Sequence, residues 1–94
     1  MDDKITKEKL EKYFSITKKA LKMAEESSER IKINGAKFEI VDMVTRYLKD
    51  AKYFMDKDDY VNAFACLNYA HGWLDAGARI GIFDVKDSTL FTVD

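Results

Sequence analysis

Residues 59–83, DYVNAFACLNYAHGWLDAGARIGIF, read as a helix that is apolar around most of its circumference, so the rest of the chain has to be arranged to cover it. At about 100° per residue, one apolar side runs from Tyr60 through Phe64, Leu67 and Leu74 to Ile82, and takes in His71 and Gly77. Beside it Cys66, Tyr69, Trp73 and Ile80 make a second apolar stripe, leaving Asn68, Gly72, Asp75 and Arg79 along a narrow polar edge. A helix with that much apolar perimeter is covered on more than one side. It either lies at the centre of the fold or keeps one face for a partner.

The other segments supply companions of the same kind. Residues 4–33 place Leu10, Phe14, Thr17, Leu21 and Ala24 at three-and-four spacing, which predicts one long amphipathic helix capped by Thr6 or Asp3. Asn34-Gly35 then offers the left-handed backbone that ends a helix. Residues 37–56 carry Ile40, Val44, Leu48 and Ala51 on one face and Asp42, Arg46 and Asp50 on the other, a second amphipathic helix. Lys57-Asp58-Asp59 is a short connection whose acids suit the positive N-terminal end of the third helix. Proline is absent, so none of these helices is interrupted.

The expected fold is therefore all-α: an antiparallel up-down three-helix bundle, because short connections pack sequence neighbours antiparallel. Ninety-four residues fit one domain, with helices over about 4–33, 37–56 and 59–83. Residues 84–94, DVKDSTLFTVD, lose the helical period and favour extended backbone, so they are expected as an extended C-terminal tail. Leu90, Phe91 and Val93 make that tail apolar enough to pack, either on the second stripe of the third helix or on another chain.

Charge excludes little. Sixteen basic and seventeen acidic side chains leave a net −1, which calls for neither nucleic acid nor an anionic membrane. Residues 1–37 hold ten basic and seven acidic groups and residues 38–94 six and ten, an asymmetry read as solvated faces that attract within the bundle. The one cysteine cannot close an intrachain disulfide, no stretch approaches the roughly 20 apolar residues of a membrane span, and no leader pattern opens the chain. A reducing, cytoplasmic setting is expected, with no membrane partner, and nucleic acid is not expected because basic residues do not cluster near the aromatics in the sequence.

Two constellations invite chemistry. His71 and Asp75 stand one helical turn apart, so the carboxylate can orient the imidazole, with Arg79 one turn further; the plainer reading is a histidine satisfied by Asp75 or a Tyr hydroxyl. Cys66 and His71 are five apart and turned away from each other, so no catalytic residue is assigned, and one His with one Cys does not make a metal site. No cofactor is expected. Tyr69, Trp73 and Ile80, joined by Leu90 and Phe91, read either as core or as an interaction surface. Three glycines within ten residues, each costing a helix about 1 kcal/mol against alanine, indicate that something needs the room they leave.

The block Tyr69-Ala70-His71-Gly72-Trp73-Leu74-Asp75-Ala76-Gly77, with the residues around it, resembles the archaeal family of uncharacterised proteins named DUF357. The resemblance implies a small three-helix bundle and no defined biochemical activity. A weaker likeness links the chain to HEPN-type helical domains. Their nuclease motif sets an Arg shortly before a His, whereas Ala65, Cys66 and Leu67 precede His71 here. The expected function is a non-catalytic protein-interaction or self-association module, a homo-oligomer or the partner of another protein, using the third helix and tail. The alternative is a small-ligand or nucleotide-binding accessory protein with a polar site at His71, Asp75 and Arg79.

Overall fold

The computed structural model describes residues 4–91, and they form three helices, α1 (Lys7–Glu26), α2 (Ala36–Asp56) and α3 (Tyr60–Ile80), with no strand among the described residues. The fold is all-α, and its longest dimension is 39 Å. Thr6 caps α1 by accepting the Lys9 N–H at 3.1 Å, and Asp59 caps α3 by accepting the Asn62 N–H at 3.2 Å, so both starts follow from side-chain oxygens placed where backbone donors are free.

The buried faces follow the helical period. Leu10, Ala20, Leu21 and Ala24 of α1 and Ile40, Val44, Leu48 and Ala51 of α2 meet Ala63, Leu67, Ala70, Leu74 and Ala78 of α3. Alanines dominate the α3 side of this core, which lets its backbone come close to both neighbours. The most extensive contact is between α2 and α3.

The first helix is shorter than its periodicity predicts: it ends at Glu26 instead of continuing to residue 33. Ser27 ends it by donating both its N–H and its hydroxyl to the Ala24 carbonyl, the local competition that serine brings to a helix interior. Residues 28–31 then bond elsewhere. The Arg30 and Ile31 N–H groups donate to the Gly81 carbonyl at 2.9 and 3.0 Å, and the Asp84 N–H donates to Ser28 at 2.8 Å. A helix through residue 33 would lose all three bonds. Gly35 adopts a left-handed φ of 79°, but as the residue that opens α2 and not as the end of α1.

The third helix also stops before residue 83. At Gly81 the backbone turns left-handed, φ 103°, and the Gly77 carbonyl collects the N–H groups of Gly81, Ile82 and Phe83. This folds Phe83 back onto α3, where its ring is fully buried and fills the space a side chain at Gly77 would need. Beyond it Val85 and Phe91 are buried and Leu90 packs against the core. Val93 lies outside the described residues.

On the surface of α2 Asp42 and Arg46 pair at 3.1 Å, and Arg30, outside α1, pairs with Asp84 at 3.6 Å.

Two glycines in one helix should respond oppositely to alanine. A Cβ at Gly77 meets the Phe83 ring at 2.5 Å, whereas one at Gly72 meets nothing within 4 Å. Gly77→Ala is expected to lose about 1–3 kcal/mol through overpacking, and Gly72→Ala to gain up to about 1 kcal/mol of helix propensity; urea denaturation of the two variants checks both signs.

Candidate functional site

The polar residues of α3 divide between two sides of the helix. His71 faces α1, where its Nδ1 lies 3.2 Å from the hydroxyl of Thr17, itself only 2% exposed. Its Nε2 lies 3.7 Å from the Asp75 carboxylate one turn on. That separation is too long for a hydrogen bond and short enough for the carboxylate to act through its charge. A network in which Thr17 donates to Nδ1 leaves the imidazole proton on Nε2, facing Asp75. The histidine thus has a threonine on another helix at one ring nitrogen and Asp75, which the sequence had pointed to, within ion-pair distance of the other.

Tyr13 and Thr17 of α1, His71 and Asp75 of α3 and Thr89 of the C-terminal segment line a cavity of about 370 Å³. Arg79 does not line it; it sits exposed in the last turn of α3, where a cation complements the helix dipole. Two of the three residues expected to share a polar site do so, and the residues missed are Thr17 and Thr89. Thr17 fell on the apolar stripe of α1, and only the helix crossing puts its hydroxyl beside an imidazole.

Cys66 belongs to the other side. Partial burial, and then the charge of Asp50 on α2, hold its thiol above the ordinary thiol range. A thiol kept protonated on the α2 side, with His71 turned toward α1, makes no nucleophile–base pair. Among the described residues no three His, Cys, Asp or Glu side chains gather as metal ligands, and no helix is long and apolar enough to cross a membrane.

The apolar stripe of α3 is only partly covered. The Tyr69 ring stacks at a tilt on Tyr47 of α2, centroids 4.7 Å apart, and meets Trp73 edge-on at 6.3 Å. Tyr69, Trp73 and Ile80 nonetheless remain 47%, 38% and 53% exposed. The described part of the C-terminal segment, through residue 91, leaves them open. Phe91 is buried in the chain's own core and Leu90 packs against it, so these two residues belong to the interior and not to the surface that Tyr69, Trp73 and Ile80 share. The uncovered face continues through Val61, Ala65, Gly72 and Ala76.

Thr17→Val keeps the shape of the side chain and removes the hydroxyl from His71. It is expected to cost about 1 kcal/mol of stability and to shift the His71 tautomer away from Nε2–H. Denaturation and imidazole ¹⁵N chemical shifts read the two effects separately.

No curated protein and no solved structure matches the chain. A family does. The model described as "Protein of unknown function (DUF357)" matches residues 12–83, which hold all of α2 and α3, most of α1, the His71 cavity wall on α3 and the exposed aromatic face; the chain belongs to that family.

Proposed function

We propose that this protein is a non-catalytic self-association module whose contact surface is the outer face of α3. The observation that carries this reading is the lack of charge on an exposed helix face. Between Tyr60 and Leu74 no Asp, Glu, Lys or Arg occurs, and the outward residues Val61, Ala65, Tyr69, Gly72, Ala76 and Ile80 follow steps of four, four, three, four and four. That is the spacing of a seam against a second helix. A two-fold pairing centred on the stretch between Tyr60 and Leu74 sets no like charges opposite each other there, which is the condition a self-complementary surface has to meet; Arg79 lies on the same side of the helix beyond that stretch. Gly72 supports the same reading: among the described residues nothing lies within 4 Å of the place of its missing side chain, yet it weakens the helix. Close approach of another backbone gives that glycine a use.

In this reading the three helices run up-down-up and the C-terminal segment is an extended tail that docks on its own chain. The three-residue connection at residues 57–59 and the burial of Phe83, Val85 and Phe91 support the arrangement. The tail then contributes stability, and Tyr69, Trp73 and Ile80 contribute the anchors.

Sedimentation equilibrium tests it. The wild-type chain is expected to dimerise, and Trp73→Glu, which places a charge on each side of the two-fold, to weaken dimerisation by about 100-fold or more with unchanged helical circular dichroism. A wild-type monomer at millimolar concentration sinks the proposal.

The second reading, a small-ligand or nucleotide-binding accessory role, draws on the concave site at His71 and Asp75. It requires a ligand that raises the melting temperature of the wild-type chain but not of His71→Ala. Arg79→Ala is expected to leave that response intact, since Arg79 lies outside the cavity.

A further inference from the structure

A second cavity, of about 570 Å³ and with no lining residue in common with the His71 cavity, lies in the groove between α1 and α2. Its floor is apolar: Leu21 and Leu48 are buried side chains, and Phe14 is half-buried beside them. Its rim is basic. Lys18 and Lys22 from α1 and Lys49 and Lys52 from α2 surround that floor, with Glu25 as the one acid among the lining residues. In the sequence these lysines fall on two separated helices and read as ordinary solvated positions.

The four do not neutralise themselves. Among the described residues only Lys52 has a carboxylate partner, Asp56 at 2.9 Å; Lys18 stands over the Phe14 ring at 5.9 Å, and Lys22 and Lys49 make no ion pair. Lys18 and Lys22 are one turn apart on the same helix, as are Lys49 and Lys52, spacings at which like charges cost a helix a few tenths of a kcal/mol, on the order of 0.2–0.5. The groove therefore holds unpaired positive charge against an apolar strip, at some cost to both helices.

The geometry points to an acidic amphipathic helix from a partner protein as the occupant of this groove. Two side-by-side helices offer ridges that a third helix packs into, as in groove-bound recognition helices. The α1 edge of the groove runs from Phe14 to Glu25, about 16 Å or three turns of helix. Apolar residues along one face of the partner would lie over Leu21 and Leu48, and Asp or Glu on its flanks would meet the lysines of both rims. Neither the α3 face nor the α1–α2 groove of a second copy supplies that chemistry. Its exposed α3 face carries no acids between Tyr60 and Leu74, and its own α1–α2 groove would set lysines against lysines. This site is independent of the self-association surface on α3.

Fluorescence anisotropy with the full chain tests the assignment. The probe is a labelled synthetic helical peptide of roughly five turns, with leucines at i, i+3, i+4 and i+7 spacing and glutamates flanking them; its control carries lysines in place of the glutamates. The wild-type chain is expected to bind the acidic peptide and not the basic one, more tightly as salt is lowered. The double variant Lys18→Glu with Lys49→Glu, both exposed residues, is expected to weaken the acidic peptide by tenfold or more, about 1.4 kcal/mol, and to gain binding of the basic peptide. Trp73→Glu, outside the groove, is expected to bind as the wild type does. The assignment is overturned if the acidic peptide does not bind at low salt, if the double reversal leaves its affinity unchanged, or if Trp73→Glu abolishes binding. Poly-uridine RNA or phosphatidylglycerol vesicles serve as competitors. If either binds the wild-type groove and is lost with the double reversal while the acidic peptide fails to bind, the groove belongs to phosphates and the helix assignment falls.

Discussion

The packing of Phe83 on Gly77 is the contact on which the far end of this fold depends. Gly77 serves two purposes at once: its missing side chain admits the Phe83 ring, and its carbonyl receives three consecutive N–H groups as the chain leaves α3. Left-handed Gly81 makes that turn possible without strain. A fully buried aromatic ring is worth several kcal/mol of burial, roughly 2–3, which exceeds the cost of a glycine inside a helix. The same turn presents the Gly81 carbonyl to Arg30 and Ile31, so the segment between α1 and α2 is held by the end of α3.

That coupling explains why the molecule has two different surfaces on one helix. By returning over Gly77 the C-terminal segment buries Phe83, Val85 and Phe91 and brings Thr89 to the His71 cavity. Its described residues through 91 leave Tyr69, Trp73 and Ile80 exposed. Tyr47 of α2 supports Tyr69 from one side, which orders the aromatic face without covering it. An ordered, exposed face, free of charge between Tyr60 and Leu74, is a better basis for recognition than a mobile one, because less side-chain entropy is lost when it is covered.

The polar features follow a different logic. His71 is held through Thr17 of α1, and Cys66 is held protonated on the α2 side, so the chain's most reactive side chains are separated by the body of α3. The lysines of α1 and α2 are gathered instead, around a groove lined by Phe14, Leu21 and Leu48 to which α3 contributes no lining residue. A bundle of three helices closes one groove with each third helix and leaves others open; here the open groove is lined by four lysines, of which only Lys52 has a carboxylate partner among the described residues.

Much of this was written in the order of the residues. The apolar period of each helix, the caps at Thr6 and Asp59, the surplus apolar perimeter of α3 and the family-typical block around His71 are local patterns, set by the repeat of the helix and by backbone donors that need an oxygen nearby. Where α1 stops was not legible, because the helical period continues past Glu26 and loses to hydrogen bonds with Gly81, some fifty residues away. The tail's destination was equally hidden: Phe91 suits a core or an interface alike, and the space beside Gly77 exists only once α3 and its return turn are in place. Thr17 beside His71 and the four lysines around Leu21 and Leu48 depend on how helices cross, and periodicity along a chain carries no information about which residues of two different helices will meet.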